Sequence, residues 1–140
     1  MPPAPALPVG DPLTAPYWAH VAEHRFALPR CEDCGRFHFH PRAACPHCGA
    51  ARIAWVEASG RGSVYSFSVV TRAPGPAFAG ETPYVIAIIA TDEGPHLMSR
   101  VVDIAPEAVR IGQRVRVRFG PRVGGLELPV FGPEAAAPAG

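Results

Sequence analysis

The sequence predicts a mainly β protein with a short N-terminal helix, a four-cysteine ribbon around one metal ion, and a five-stranded β-barrel. Three observations predict this fold. All four cysteines of the 140-residue chain lie in two Cys-x-x-Cys-Gly units between Cys31 and Gly49. From Gly60 onward, apolar residues follow the two-residue period of β-strands. Turn signals rich in glycine separate these strands, as they do in small closed barrels.

The charge of the chain is nearly balanced, which limits the classes of partner that it suits. The sequence has 13 basic residues, all of them arginine, and 12 acidic ones. Nucleic-acid-binding proteins usually carry a clear basic excess, so the balance argues against that class. Met1–Pro8 lacks the basic start and apolar run of a signal peptide, and the longest apolar stretch, Tyr84–Ala90, is too short to span a bilayer. We therefore predict that the protein is cytoplasmic and has no membrane partner. In the cytoplasm thiols stay reduced, and clustered cysteines there more often hold metal than form disulfides.

Composition divides the chain into four segments. Residues 1–13 are rich in Pro and Ala and predict a tail or linker, and residues 133–140 predict a second tail. Residues 14–58 carry the predicted helix and zinc ribbon, and residues 59–132 carry the predicted barrel.

Thr14–Pro16 predicts the start of the helix, because Pro is tolerated in a first helical turn. Tyr17, Trp18 and Val21 then share one face, and the helix is expected to end near His24. So short a helix must pack on something to be stable. Its two aromatic residues suit either this domain's own core or the surface of a partner.

The first two barrel strands are predicted from different patterns. Gly62–Val70 alternates, with Tyr65, Phe67 and Val69 on one face. Tyr84–Ala90 is continuously apolar, which is typical of a central strand buried on both faces.

The remaining strands follow turn signals. The turn at residues 92–94 predicts a hairpin from the central strand into a strand at 96–102. Pro106–Val109 predicts one helical turn, and residues 126–131 predict the last strand. Five strands with a helical turn between the third and fourth fit a closed Greek-key barrel of the OB type, with an open sandwich as the alternative. The fourth strand, residues 113–119, alternates strictly: Val115, Val117 and Phe119 are expected inside and Arg114, Arg116 and Arg118 outside.

The two cysteine pairs predict a structural metal site. A spacing of two residues lets both thiolates of a pair face one ion, and the glycine after each pair accepts the left-handed backbone that closes the turn. The predicted ligands are Cys31, Cys34, Cys45 and Cys48, with a short strand at residues 36–40 between the pairs. Zn²⁺ is the predicted ion, and iron is the alternative for four sulfur ligands. Since four cysteines complete the site, His38, His40 and His47 are expected on the surface or beside the metal site.

Catalytic arrangements are missing from the sequence. It has no lysine, no serine nucleophile elbow and no phosphate-binding loop with lysine. Carboxylates are scattered, and no nucleophile is paired with a base. We therefore predict a binding or organising module and not an enzyme in its own right.

The order of these parts resembles a known family. Its most specific features are the ribbon, with Cys45-Pro-His-Cys48-Gly49 as its second half, and the strand Gly62–Val70. Pro83–Ala87 and Ile111–Val117 extend the likeness, which covers residues 14–133. The chain resembles the OB-fold and zinc-ribbon acyl-CoA-associated family long labelled domain of unknown function thirty-five.

The resemblance implies an accessory role. Proteins of that family are subunits that pair with thiolases, acyltransferases or lipid-transfer-protein-like aldolases of steroid side-chain degradation, and in some cases with MaoC-like hydratases. The catalytic residues reside in the partner. The resemblance thus implies a non-catalytic subunit that docks on a thiolase-superfamily partner and helps to bind or channel acyl-CoA.

Acyl-CoA needs an apolar groove for its pantetheine arm and cations for its phosphates. The loop of residues 71–83 could border such a groove, although a plain connector explains it equally well. The arginines of the fourth strand could form a cationic face that binds the phosphates, or a solvated face that discourages strand-to-strand aggregation.

A nucleic-acid-binding module is the alternative function, because zinc ribbons and OB barrels also serve that role. The candidate contacts to acyl-CoA or a partner are Arg72, Phe78, Tyr84, Arg114, Arg116, Arg118, Tyr17 and Trp18.

Overall fold

The computed structural model describes residues 11–123 and 126–134. The predicted tails at 1–13 and 133–140 therefore fall mostly outside the described residues. Within them, one helix, seven strands and two 3₁₀ turns follow one another along the chain. They are α1 (Ala15–Ala22), β1 (Ala27–Cys31), β2 (Ile53–Glu57), β3 (Arg61–Val70), a 3₁₀ turn at Pro76–Phe78, β4 (Tyr84–Thr91), β5 (His96–Val101), a 3₁₀ turn at Pro106–Ala108, β6 (Arg114–Val123) and β7 (Leu126–Pro133).

The five strands after the ribbon form a closed barrel in the order β3-β4-β5-β7-β6, as predicted, and not an open sandwich. All neighbours are antiparallel except β5 and β7, which meet in parallel at the single pair Val101 and Phe131. A side-chain hydrogen bond helps to close this narrow seam, since Ser99 Oγ donates to the carbonyl of Pro129 at 3.1 Å. The predicted helical turn between the third and fourth barrel strands is present.

The ribbon contains a strand that the sequence did not reveal. β1 pairs antiparallel with β2, with Pro29 opposite Trp55. Its five residues include a proline and show no clear period, so only its long-range partner defines it as a strand. The strand predicted at residues 36–40 is wrong. That segment makes one isolated bridge, between Arg30 and Phe37, before it turns away.

A β-bulge in β3 separates Tyr65 from the face that it was predicted to share with Phe67 and Val69. The register against β4 shifts between Val64 and Ser66. Val64 is therefore buried in the barrel, whereas Tyr65 is 60% exposed. Phe67 and Val69 lie beyond the bulge, and both pack against the core. A bulge places one extra residue in one strand and so changes which side chains point inward.

The central strand β4 is not buried on both faces as predicted. Its side chains alternate between buried and half-buried, with Val85, Ala87 and Ile89 inside the barrel. The outer face of β4 is therefore only partly buried by the described residues. β3 and β4 pack closely at Gly62, where an added Cβ would lie 2.6 Å from the carbonyl oxygen of Ala90.

One hydrophobic core joins the helix, the ribbon and the barrel. Val21 on α1 and Leu28 on β1 are fully buried in the same cluster as Val115 and Phe131 of the barrel. The helix ends two residues earlier than expected, and His24 takes a left-handed conformation with φ of 58°. That turn brings its ring against the ring of Phe119 at 5.2 Å.

Candidate metal centre

The four cysteine sulfurs form one cluster, as their spacing predicts. The Sγ atoms of Cys31, Cys34, Cys45 and Cys48 all lie within 4.8 Å of one another. The distance is 3.6 Å between Cys31 and Cys48 and 3.7 Å between Cys34 and Cys45. Four sulfurs about 2.3 Å from a tetrahedral zinc ion would be about 3.8 Å apart. The donor set and its spacing therefore fit a structural four-thiolate zinc site.

The two halves of the site repeat one local geometry. Gly35 and Gly49 both have positive φ angles, 77° and 82°, which a residue with a side chain rarely adopts. Each glycine N–H donates to the carbonyl of the first cysteine of its pair, at 2.9 Å. These closed turns direct further N–H groups at sulfur: the amide of His47, for example, lies 3.3 Å from Cys45 Sγ.

The thiols of the second pair differ in their tendency to ionise before metal binds. Burial opposes ionisation of Cys45, but the backbone N–H groups of Cys48 and His47 outweigh it and lower the pKa of its thiol to about 6. The backbone N–H of Ala50 favours the thiolate of Cys48, yet the adjacent thiol of Cys31 and burial raise the pKa of Cys48 to about 12. A first negative charge therefore suppresses the next one until a cation arrives.

Among the described residues, the metal-binding cluster contains cysteines alone. His40 is exposed, as predicted. The ring of His47 lies 3.2 Å from a guanidinium nitrogen of Arg36 and 3.3 Å from the carbonyl oxygen of Phe37. His38 differs from the surface expectation, because it is only 4% exposed.

The predicted cationic strand is largely paired with acids. Arg114 binds both carboxylate oxygens of Asp92, at 2.7 and 2.8 Å, and these hydrogen bonds hold the pKa of Asp92 below its usual value. Arg118 pairs with Asp103 at 3.0 Å. In the described part of the chain, only Arg116 of the three lacks an ion pair. This neutralisation weakens the one feature that favoured nucleic acid binding.

The loop of residues 71–83 is attached to the barrel through a residue that the sequence analysis missed. The guanidinium of Arg100 lies 4.0 Å from the centre of the Tyr84 ring and 5.8 Å from that of Phe78. The same group forms an ion pair with Glu81 at 2.6 Å. Arg72, in contrast, is exposed on the loop. The signal that could have identified Arg100 is the predicted hairpin turn between β4 and β5, because that turn sets the register that places Arg100 of β5 opposite Ile86 of β4.

The two aromatic residues of α1 pack mainly within the protein. Tyr17 is 9% exposed and contacts the rings of Trp18, Phe39 and Trp55. Burial raises the pKa of its hydroxyl above the usual range. Trp18 is half-buried against the same core. Of the two side chains, that of Trp18 has the larger exposed surface and could contact a partner. No helix in the described residues is both long and apolar enough to cross a membrane.

Comparison with known proteins gives the class that this fold and site define. Residues 18–54 match the family described as the ChsH2 rubredoxin-like zinc ribbon domain, and residues 55–120 match the ChsH2 C-terminal OB-fold domain. A DUF35 domain-containing scaffold protein of Methanocaldococcus jannaschii is 39% identical over 78% of each chain. The chain therefore belongs to the DUF35 family of ChsH2-like proteins with a zinc ribbon and an OB-fold.

Two solved structures of DUF35 proteins resemble this chain. A chain from "Ltp2-ChsH2(DUF35) aldolase" superimposes with a TM-score of 0.84 at 36% identity, over 92% of this chain and 100% of that one. A DUF35 protein of Sulfolobus solfataricus, 20% identical with a TM-score of 0.57, shares the fold.

Two further relatives are longer than this chain. A probable enoyl-CoA hydratase alpha subunit of Thermomonospora curvata is 39% identical, and the match covers 84% of this chain but 36% of that protein. A 3-oxo-4,17-pregnadiene-20-carboxyl-CoA hydratase alpha subunit of Mycobacterium tuberculosis is 35% identical, and the match covers 33% of its length. The chain thus spans about a third of the hydratase subunits that it matches.

Proposed function

We propose that this chain is a non-catalytic accessory subunit that docks on a thiolase-superfamily partner and helps to bind or channel acyl-CoA. The observation that carries the proposal is the superposition on the chain from Ltp2-ChsH2(DUF35) aldolase, which covers that chain completely. Three archaeal relatives named DUF35 domain-containing scaffold proteins support an assembly role. We place its action in the cytoplasm, where the metal-binding thiols stay reduced.

The local chemistry supports a non-catalytic role. All four thiols, the strongest nucleophiles of the chain, belong to the metal cluster. The buried hydroxyl of Thr91 donates to the carbonyl of Pro95 at 2.6 Å, and Ser99 likewise donates to a backbone carbonyl. In the part of the chain that the structure describes, neither hydroxyl is hydrogen-bonded to a base that could activate it.

The outer face of β4 and β5 is our candidate for the docking surface. Met98, 68% exposed, lies opposite Ile88 of β4, and Tyr65 lies beside this pair with its ring 4.6 Å from that of His96. The equivalent face of other OB-folds is a general binding face. The Arg100 cation over the ring of Tyr84 continues this surface toward the loop of residues 71–83. The exposed apolar groups of this face support a contact with the acyl or pantetheine part of an acyl-CoA, whereas the charge of Arg100 is already paired with Glu81.

A pull-down of the tagged, zinc-loaded chain from its native host, followed by mass spectrometry, tests the proposal. We expect a thiolase-fold protein or a MaoC-like hydratase in the eluate, and we expect that partner to be inactive or unstable without this chain. A partner that is fully active alone would contradict the accessory role.

Two matched variants test the docking surface separately. Met98→Glu places a charge on the outer face of β5, and Ile111→Glu places one at an equally exposed apolar residue outside that face. We expect Met98→Glu to reduce partner recovery at least about tenfold, because burying an unpaired charge is strongly unfavourable. Ile111→Glu should bind as the unchanged chain does. Equal recovery of the partner with both variants would mean that the docking surface lies elsewhere on the chain, and it would not contradict the accessory role.

A further inference from the structure

The cysteine cluster has one side at the protein surface and one side in the interior. Cys34 and Cys48, the second cysteine of each turn, are exposed residues, whereas Cys31 and Cys45 are buried. Cys31 is the last residue of β1 and is fully enclosed. The metal site therefore combines two cysteines that meet solvent with two that are held in the fold.

Each exposed cysteine has a buried cysteine of the other turn as a close neighbour. Cys48 Sγ lies 3.6 Å from Cys31 Sγ, and Cys34 Sγ lies 3.7 Å from Cys45 Sγ. The S–S bond of a disulfide is about 2.05 Å long, so each link needs the two sulfurs to approach by about 1.6 Å. The geometry thus allows two links that run across the turns.

The chemistry of the bound site makes these sulfurs reactive toward oxidants. All four are thiolates when zinc is bound, and the thiolate is the form of cysteine that an oxidant attacks. Cysteines that sense oxidants are accessible to solvent and lie next to a second, resolving cysteine. Cys34 and Cys48 meet the first condition, and their buried neighbours meet the second. The cluster therefore contains two pairs that can each give up two electrons.

We propose that hydrogen peroxide oxidises this cluster to two disulfides, Cys31–Cys48 and Cys34–Cys45, and thereby releases the zinc ion. In each pair the exposed thiolate attacks one peroxide oxygen, the O–O bond breaks, hydroxide leaves and a sulfenic acid forms. The buried thiolate then attacks the sulfenic sulfur, the S–O bond breaks and a second hydroxide leaves. Two protons from solvent convert the hydroxides into water. Each pair of sulfurs thus reduces one peroxide by two electrons, and the thiolate ligands of the metal are lost.

The proposed pairing joins the two turns after the metal has left. The links connect cysteines 17 and 11 positions apart in the chain, whereas links within the Cys-x-x-Cys turns would leave the turns unconnected. The oxidised ribbon would therefore keep its two halves together, so that a reductant and zinc can restore the original site. Disulfides in reducing compartments are usually transient and catalytic or redox-sensing. This redox switch does not depend on the partner of the proposed function.

Peroxide titration of the zinc-loaded full chain tests the switch. The readouts are zinc release, followed with a chromogenic chelator, the number of free thiols, and peptide mapping without reductant. We expect about two peroxides to be consumed for each zinc released, a fall from four free thiols to none, and both links across the turns. A thiol reductant with added zinc should restore the metal and the thiols. Links within the turns, or loss of thiols without disulfides, would overturn the proposal.

The exposed Met98 is an internal reference for the oxidant. Its thioether is 68% exposed and forms a sulfoxide with peroxide. We expect zinc release to be complete before Met98 is oxidised, because a thiolate is the stronger nucleophile. Met98→Leu should therefore release zinc as the unchanged chain does. Oxidation of Met98 in a chain that keeps its zinc and its four thiols would overturn the proposal.

Cys48→His separates links across the turns from links within them. Histidine also binds zinc, and the exposed position leaves room for its ring. The variant should consume about one peroxide for each zinc released, form the Cys34–Cys45 link and leave Cys31 free. A Cys31–Cys34 link with Cys45 free would overturn the proposal. If this variant does not bind zinc, the peptide map of the unchanged chain decides the result.

Discussion

At the scale of single residues, the metal centre depends on how local backbone geometry places and charges four thiols. Positive φ angles at Gly35 and Gly49 close the two turns and bring N–H groups to sulfur. The pKa of Cys45 is lowered by backbone N–H groups and that of Cys48 is raised by its neighbouring thiols, so ionisation of one thiol opposes ionisation of the next. A zinc ion supplies the charge that makes all four into thiolates.

Substitution of one ligand should abolish the ribbon. We expect Cys34→Ser to lose stoichiometric zinc and to lower the melting temperature by at least about 10 °C, because structural zinc contributes on the order of 10 kcal/mol. Elemental analysis and thermal denaturation measure both effects. Ser66→Ala, at an exposed serine of β3, is the control and should retain zinc and stability. A Cys34→Ser chain with normal zinc content and an unchanged melting curve would contradict the four-thiolate site.

Zinc binding should release protons in a number set by the thiol pKa values. At pH 7.5 the thiol of Cys45, with a pKa of about 6, is mostly ionised, whereas that of Cys48, with a pKa of about 12, is still protonated. Zinc must therefore displace at least the Cys48 proton, but fewer protons than the four thiols of the site. Calorimetry of the apo chain in buffers of different ionisation enthalpy measures this number. Because protons compete with zinc, affinity should fall with falling pH throughout the range below about 12, and more steeply below about 6, where Cys45 also takes up a proton. A pH-independent affinity would contradict the assignment.

At the scale of elements, strand register decides which side chains meet the core and which meet a partner. The bulge in β3 places Val64 inside and Tyr65 outside. On β5, Arg100 is positioned to hold the loop of residues 71–83 through Glu81 and Tyr84. The loop is therefore ordered by the outer face of the barrel, which makes that face and the loop one surface.

Adjacent substitutions on β3 test the bulge. Val64→Ala should destabilise the protein by about 2 kcal/mol, because it leaves a cavity in a closed barrel. Tyr65→Ser, next to it but on the outer face, should change the free energy of unfolding by less than about 0.5 kcal/mol. Urea denaturation of the zinc-loaded chains measures both values. The opposite order of the two effects would mean that β3 has the unbulged register and that Tyr65 points inward.

At the scale of the whole molecule, the ribbon and the barrel share one core. The rings of Phe26 and Phe131 meet edge to face at 5.9 Å, and His24 pairs with Glu127 of β7. Val21 of α1 is fully buried in the same cluster. Loss of order in the ribbon should therefore reach the barrel through shared packing.

Metal removal should reveal this coupling. We expect a strong chelator to raise hydrogen exchange at barrel amides such as that of Val117, which donates to the carbonyl of Gly60 at 2.7 Å. Hydrogen-exchange mass spectrometry of the chain with and without chelator measures the change. A control with zinc added back in excess should restore the original protection. Unchanged protection of the barrel after zinc loss would mean that the two parts fold independently.

Local patterns were sufficient for the features that depend on neighbours in the chain. The cysteine spacing predicted the metal cluster, and strict alternation predicted the inward Val115 of β6. The hairpin turn and the short helical turn before β6 were also local signals. These features follow from backbone preferences and side-chain period, which act over a few residues.

The sequence by itself determined the metal-binding cysteines, the order of the barrel strands and the class of fold. Tertiary structure alone decided the β1–β2 pairing, the inward face at the β3 bulge, the burial of His38 and the contact of Arg100 with the loop. Each of these depends on a partner distant in the chain, and a one-residue shift in pairing reverses the face of a strand. Short-range patterns do not encode that register, because it is fixed only when the barrel closes around its core.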